Sequence, residues 1–104
     1  MTTTTIAGHA VDVNDEGFLT KPEEWSEDLA PELAHLIGLD LTDAHWALIR
    51  FLRDDYAAQG ETATLRRVST QTGTPVKELF GLFPGKPAKK MAYVSGLPKP
   101  KGCV

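Results

Sequence analysis

The chain has 104 residues, of which 41% are hydrophobic and 24% charged, and its formal net charge is −3 at pH 7. These values are ordinary for one folded domain with a core of modest size, so residues 1–104 are treated as a single domain. The apolar runs are too short to span a bilayer, and the Thr-rich start lacks the basic and apolar regions of a signal peptide. We therefore expect a cytoplasmic protein with no membrane partner.

The two halves of the chain carry opposite charge. Residues 1–61 hold 13 acidic and 3 basic side chains, whereas residues 62–104 hold 1 acidic and 8 basic side chains. The basic half could face a nucleic acid or an acidic protein surface, or it could neutralise the acidic half within the same fold. We favour the internal pairing, because aromatic side chains are not interleaved with most of these bases.

Residues 1–20 predict a short β-hairpin. Val11 and Val13 alternate with a polar residue, which is the pattern of a half-buried strand, and Gly8 suits the preceding turn. Residues 14–17, Asn-Asp-Glu-Gly, predict a second turn that returns the chain to the core.

A first helix is expected between Ser26 and Gly38, after a polar connection anchored by Trp25. Asp28 is the favoured cap because it keeps Pro31 in the first turn, where proline is tolerated. Gly38 suits the C-terminal stop. The predicted core stripe of this helix consists of Leu29, Leu33, Leu36 and Ile37.

Residues 42–59 predict the longest helix, which we expect to be the spine of the core. Thr42 suits its N-cap and Gly60 its C-terminal stop. The predicted inward side chains are Ala44, Leu48, Phe51 and Leu52, with Tyr56 beside them. The predicted outward side chains are Arg50, Arg53, Asp54 and Asp55.

Residues 65–82 predict two short helices joined by a turn at Gly73. Thr74 and Pro75 suit the cap and first position of the second of these helices. A last helix is expected over residues 86–94, and it is followed by a glycine stop.

The expected fold class is mainly α. A small helical body over residues 26–95 carries the N-terminal hairpin, includes a helix-turn-helix-like segment, and continues into an extended, mobile C-terminal arm over residues 96–104. The three histidines, His9, His35 and His45, show no metal-ligand spacing, and no metal or cofactor is expected.

The C-terminal arm carries the single cysteine, Cys103, one residue from the end of the sequence. A thiolate is the reactive form of cysteine and is favoured by nearby ammonium groups such as those of Lys99 and Lys101. Pro98 and Pro100 are expected to keep the segment extended so that it reaches into a partner's cleft. The alternative is an idle cysteine on a frayed tail, but exposed thiols invite oxidation, so we favour a reactive one. Beside the catalytic Cys103, the predicted docking residues of the arm are Gly96, Leu97, Pro98, Lys99, Pro100, Lys101 and Gly102.

The helix-turn-helix-like segment raises a second hypothesis, a nucleic-acid-binding regulator. Its second helix, the presumed reader, offers only Lys77 as a base contact and carries Glu78, which repels phosphate. This hypothesis is therefore the weaker one.

The arm sequence Gly-Leu-Pro-Lys-Pro, followed by Gly-Cys-Val at the end, resembles the terminal arm of the DsrC/TusE family of sulfur-carrier proteins. The similarity extends upstream, from about residue 6 onward. Further segments similar to family motifs are Asp15–Leu19, Trp25, His45–Trp46 with Ile49, Phe51–Arg53 with Tyr56, Leu82–Gly85 and Pro87–Lys89.

The resemblance implies a sulfurtransferase that relays sulfur rather than turning over a small substrate. It implies that Cys103 accepts sulfane sulfur as a persulfide and passes it to an acceptor protein. In the DsrC branch a second arm cysteine stands eleven positions before the last one, and that position is Ala92 here. The single cysteine makes the chain similar to the TusE branch. This implies a donor that is TusBCD-like or another sulfurtransferase, a tRNA-thiolase-like acceptor and an indirect contact with tRNA.

A DsrC-like role as partner of a dissimilatory sulfite reductase or a heterodisulfide-reductase-like complex is the alternative within the family. Two departures from the family pattern bear on partner recognition. The loop around residues 71–76 is shorter than in many members, and the family's Gly-Pro-Ala is split by Lys86.

Overall fold

The computed structural model describes residues 2–100, which form a two-stranded antiparallel sheet and five α-helices. This arrangement confirms the expected mainly α fold with an N-terminal hairpin. None of the helices in this described part is long and apolar enough to cross a membrane. The elements are β1 (Thr2–Ile6), β2 (His9–Val13), α1 (Leu29–Leu36), α2 (Asp43–Gln59), α3 (Leu65–Thr72), α4 (Val76–Leu82) and α5 (Pro87–Val94), with a 3₁₀ turn at Pro22–Glu24.

The β-hairpin is closed by a two-residue loop. Ala7 and Gly8 both have positive φ, 51° and 81°, which is the backbone geometry that matches the twist of paired strands. The register pairs Ile6 with His9 and Thr2 with Val13, so both strands lie within the predicted hairpin region, residues 1–20.

The predicted turn at residues 14–17 is confirmed. The side-chain oxygen of Asn14 accepts hydrogen bonds from the backbone N–H groups of Glu16 and Phe18, each at 3.0 Å, and Gly17 has φ 88°. An isolated bridge between Val13 and Leu19 then returns the chain to the core. The turn leaves the Glu16 carboxylate on the surface, which matters for the arm described below.

Helix α1 begins and ends where the sequence predicts, but its buried face differs in one position. Leu36 is 65% exposed, so its assignment to the core stripe is wrong. At 100° per residue the buried set is centred about 90° from Leu36, which therefore points to solvent in the last turn. Asp28 stands at the N-cap position, but its carboxylate lies 3.3 Å from His9 Nε2 instead of capping. The buried residues of α1 are Leu29, Ala30, Leu33 and Ala34.

Helix α2 is the central helix, as predicted, and Thr42 begins it. His45 is buried at its N-terminus, where Nδ1 accepts the Thr42 backbone N–H at 3.0 Å and Nε2 lies 2.8 Å from the Leu82 carbonyl. The His45 ring therefore links the start of α2 to the end of α4. The buried apolar residues of α2 are Leu48, Ile49 and Leu52.

Three side-chain directions predicted for α2 are wrong. Ala44 is exposed because the core face at the N-terminus is occupied by the buried His45. Asp55 is buried because Arg67 of α3 binds it through two hydrogen bonds, at 2.9 and 2.7 Å. Arg53 is partly buried because it reaches the base of the C-terminal arm.

Helices α3 and α4 form the predicted helix-turn-helix-like pair, with Gly73 in the left-handed conformation at φ 73° between them. Thr64 caps α3 by accepting the Arg67 N–H at 3.2 Å. Pro75 lies at the N-cap of α4 and not at its first helical position, so the predicted start of this helix is one residue too early. Helix α5 packs on α1 and α2 and closes the core.

Leu52 and Leu36 offer a matched pair for testing the core. Replacing Leu52, which is 1% exposed, by Ala is expected to lower the free energy of unfolding by about 2–5 kcal/mol, since burial is lost and a cavity remains. Leu36→Ala deletes the same atoms from the surface and is expected to change the free energy of unfolding by less than about 0.5 kcal/mol. Urea unfolding of both variants measures the difference, and equal losses would contradict the orientation of α1.

Candidate functional site

The C-terminal arm leaves the body at a well-defined helix end. Gly96 has φ 68°, its N–H donates to the Tyr93 carbonyl at 3.3 Å, and the Leu97 N–H donates to the Ala92 carbonyl at 3.0 Å. These two bonds are the Schellman arrangement, which satisfies the last carbonyls of a helix and reverses the chain direction. The arm therefore begins in a fixed direction.

Trp25 lies directly against this helix end. Its indole Nε1 donates to the Val94 carbonyl at 2.9 Å. A Cβ placed on Gly96 would lie 2.6 Å from both Cβ and Cγ of Trp25, which no real side chain tolerates. Only glycine therefore fits here, and the predicted anchoring role of Trp25 is confirmed.

Arg53 completes the junction from α2. Its guanidinium carbon lies 4.3 Å from the centroid of the Trp25 ring, a distance at which a cation is attracted to an aromatic face. The two terminal nitrogens donate to the Ser95 carbonyl at 2.7 Å and to the Pro22 carbonyl at 3.0 Å. This side chain thus links α2 to the 3₁₀ turn and to the end of α5, where the arm begins.

The described part of the arm, residues 96–100, is packed on the body. Leu97 is 1% exposed, and the Pro98 carbonyl accepts the Thr62 hydroxyl at 2.8 Å. Pro100 is also buried, while Lys99 is exposed. The predicted docking residues at positions 96–100 are therefore placed against the body. Lys101, Gly102 and the predicted catalytic Cys103 lie outside the described residues.

Glu16 holds the arm from the side of the β-hairpin. Its Oε2 lies 3.2 Å from Lys99 Nζ and 3.4 Å from Lys89 Nζ. The hydrogen bond from Lys99 lowers the pKa of Glu16 below its ordinary value of 4.5, desolvation opposes this, and Lys89 contributes further lowering. The carboxylate is therefore charged at neutral pH and bridges the arm to α5.

Ala92, at the position of the second family cysteine, lies inside α5 with 0% exposure. Its methyl group is enclosed by the core, and its carbonyl accepts the arm's Leu97 N–H. Position 92 thus shapes the base of the arm but supplies no sulfur.

The remaining candidate residues do not join the arm. Arg67 is engaged with Asp55, whereas Arg66 and Lys77 are exposed on the helix-turn-helix-like pair. His45 has the linking role described above. Within residues 2–100, no three His, Cys, Asp or Glu side chains come together as a group that could hold a metal ion.

A cavity that the sequence did not predict is lined in part by Glu16, the residue that binds Lys99 of the arm. It has a volume of about 410 Å³, and Phe18, Ile37 and Tyr93 form its apolar floor. Lys86, Lys89 and Lys90 line its edge together with Glu16. The sequence signal was the run of lysines around Pro87 and Ala88, but the floor comes from three separate elements, which only the tertiary structure brings together.

Gly96 and Gly60 provide a test of the junction. Both have positive φ, 68° and 78°, so alanine at either position costs about 1–2 kcal/mol in backbone strain. Gly60 has no heavy atom within 4 Å of an added Cβ, whereas at Gly96 that atom overlaps Trp25. Gly96→Ala is therefore expected to lower the free energy of unfolding by about 1–3 kcal/mol more than Gly60→Ala does. Urea unfolding followed by tryptophan fluorescence measures both, and equal effects would refute the close contact.

The Glu16 bridge predicts a specific titration. Its folded pKa is lowered, so the stabilisation it contributes is complete above pH 4.5 and is lost as the pH falls through the lowered value. Lys99→Gln is expected to raise this pKa toward 4.5, and Lys89→Gln is expected to raise it less. NMR titration of the side-chain carboxyl carbon measures each value, with Lys77→Gln as the control. An unchanged midpoint in Lys99→Gln would mean that the arm is not held by Glu16.

Comparison with known proteins gives a consistent result over the whole chain. The family described as DsrC like protein matches residues 5–104. Sulfurtransferase TusE of Yersinia pseudotuberculosis is 35% identical in an alignment that covers 93% of this chain and 96% of that protein. The dissimilatory-type sulfite reductase subunit gamma of Nitratidesulfovibrio vulgaris is 34% identical, with 100% of both chains covered. The NMR structure of Allochromatium vinosum DsrC is similar at a TM-score of 0.86 and 34% identity, covering 98% of this chain and 97% of that one. The resemblance seen in the arm motif is thus confirmed, and the chain belongs to the DsrC-like family.

Proposed function

We propose that the protein is a sulfur carrier whose Cys103 accepts sulfane sulfur as a persulfide and relays it to an acceptor protein. The observation that carries the proposal is near full-length similarity to sulfurtransferase TusE, together with a single cysteine in the terminal arm. The cytoplasm stays the predicted location.

The transfer is an exchange reaction without net oxidation. The Cys103 thiolate attacks the outer sulfur of a donor persulfide, the donor's sulfur–sulfur bond breaks, and the donor thiolate leaves. Cys103 then holds the extra sulfur as Cys–S–SH. In the second step an acceptor thiolate attacks that outer sulfur and releases the Cys103 thiolate. Neither step requires an external oxidant or reductant.

The packed base of the arm supports this chemistry. Leu97 and Pro98 are fixed to the body by burial and by the Thr62 hydrogen bond. The arm therefore loses less conformational entropy when a partner binds. The ammonium group of Lys99 lies 3.2 Å from the Glu16 carboxylate, which holds this part of the arm to the body. In this role the arm residues Gly96 to Gly102 present the thiol, and Lys99 and Lys101 favour its anionic forms.

We infer that the relay serves tRNA 2-thiouridine formation. The single cysteine supports this branch, because Ala92 provides no second sulfur with which Cys103 could form an internal bond. On this proposal the donor is a TusBCD-like complex and the acceptor a tRNA-thiolase-like enzyme, with tRNA contacted only indirectly.

A second candidate is a role beside a sulfite reductase or a heterodisulfide-reductase-like complex. It is favoured by the similarity to the Nitratidesulfovibrio vulgaris gamma subunit over both full chains. It is also favoured by the similarity to a chain in the crystal structure of dissimilatory sulfite reductase I, with a TM-score of 0.86. The missing second cysteine argues against it. Co-purification with a tRNA thiolase or with a sulfite reductase separates the two candidates.

Sulfur loading tests the proposal directly. Incubation with a cysteine desulfurase, cysteine and a TusBCD-like persulfide donor is expected to increase the mass of the protein by about 32 Da, the mass of one sulfur atom, and dithiothreitol is expected to remove it. Intact mass spectrometry of the protein and of Cys103→Ser makes the measurement.

Cys103→Ser is expected to show no gain in mass, because serine forms no persulfide. A TusE protein loaded in parallel serves as the positive control. If that control is loaded while this protein stays unmodified, the carrier proposal fails.

A further inference from the structure

We propose that the lysine-rimmed cavity is the docking site for an acidic segment of the partner protein, anchored by an apolar side chain. This cavity is the one with Phe18, Ile37 and Tyr93 as its floor and Lys86, Lys89 and Lys90 at its edge. The identity of the partner as a sulfur-exchanging protein rests on the proposed function, whereas the chemistry of the segment rests on the cavity itself.

The floor of the cavity suits an apolar side chain. The Phe18 and Tyr93 rings meet edge to face, with centroids 5.7 Å apart and an interplanar angle of 84°. Phe18 is almost fully buried and is held in place by the turn at residues 14–17, so the floor is formed before any partner binds. A volume of about 410 Å³ accommodates one or two large side chains.

The edge of the cavity carries uncompensated positive charge. Lys89 is paired with Glu16, but none of the ion pairs among residues 2–100 involves Lys86 or Lys90. Glu16 is the one acidic residue of the lining, and it is already bound by two lysines. Two free ammonium groups next to an apolar floor are complementary to carboxylates that flank an apolar anchor.

One residue of the cavity lining also contacts the arm. Glu16 belongs to its lining and also holds Lys99 of the arm. Cys103 is three residues beyond Pro100, so its reach from that buried point is at most about 11 Å. A partner must therefore bring its own sulfur close to the arm's base. A segment bound at the cavity lies next to Glu16, the residue that holds Lys99 of that base.

An acidic peptide fits these observations better than a nucleic acid does. A nucleic-acid surface combines basic side chains with exposed aromatic faces on which bases stack. Here Tyr93 is half-buried and Phe18 is enclosed, so neither offers an open face. The apolar floor instead accepts an inserted side chain.

Binding of short labelled probes tests the proposal on the full chain. The first probe is a fluorescein-labelled 12-residue peptide of alternating Glu, Asp, Leu and Phe. The second replaces Leu and Phe by Ser at the same charge, and the third is a 12-nucleotide single-stranded RNA. Fluorescence anisotropy at low salt is expected to show saturable binding of the first probe and weaker binding of the other two.

Charge-reversal variants locate the binding. Lys86→Glu combined with Lys90→Glu is expected to lower the affinity for the first probe about tenfold, since two attractions become repulsions. Lys77→Glu makes the same type of change on the exposed face of α4, away from the cavity, and is expected to have an effect of less than about twofold. Amide shifts of the wild-type protein on adding peptide are expected to cluster at residues 85–93 and around Phe18.

Several outcomes overturn the proposal. One is no saturable binding of the acidic peptide by the wild-type protein, and another is equal binding of the Ser-substituted peptide. Tighter binding of RNA than of peptide, lost in the double variant, assigns the lysines to nucleic acid instead. Sulfur loading of Cys103 by the cysteine desulfurase assay is measured separately, so a failure of Cys103 to accept sulfur is distinguishable from a failure of the cavity to bind peptide.

Discussion

The contact between Trp25 and Gly96 is the constraint on which the course of the arm depends. The indole occupies the space that a Cβ at position 96 would need, and its N–H binds the Val94 carbonyl in the last turn of α5. Arg53 packs its guanidinium against the indole ring and donates a hydrogen bond to the Ser95 carbonyl. Because a left-handed glycine reverses the chain at this point, Leu97 falls into the core and the arm runs back along the body. A larger residue at position 96 would therefore change the direction in which the arm leaves α5.

Most of the secondary structure was predictable because its signals are local. Glycines with φ between 73° and 78° end α1, α2 and α3 at positions 38, 60 and 73, as expected from residue type alone. Thr42 and Thr64 each stand at the start of the helix that follows. The cause is again local, because their hydrogen bonds are made to residues within the first turn of that helix. The turn at residues 14–17 belongs to the same class, since Asn14 binds backbone groups two and four residues ahead.

The errors concern contacts between residues distant in sequence. The outward direction expected for Arg53 and Asp55 follows from helical periodicity, which treats every charged side chain as solvated. Their partners lie on other elements: Asp55 binds Arg67 of α3, and Arg53 binds carbonyls 31 and 42 residues away. Leu36 is the opposite case, an apolar residue left exposed because α1 is rotated slightly from the predicted face. The thiol was visible in the sequence, whereas the packing of residues 96–100 and the cavity beside them depend on side chains from several elements at once.

The opposite charges of the two halves explain how the arm and the cavity are related. Pairs between the halves, Asp55 with Arg67 and Glu16 with both Lys89 and Lys99, bear out the expectation of internal neutralisation. The neutralisation is incomplete at the cavity, where Lys86 and Lys90 are unpaired among residues 2–100. Each part of this charge pattern has a separate consequence. The paired charges hold the arm's base to the body at neutral pH, and the unpaired ones are left for a partner. Since exposed ion pairs are weak and screened by salt, the paired set positions the arm without locking it, and burial of Leu97 supplies the firmer attachment.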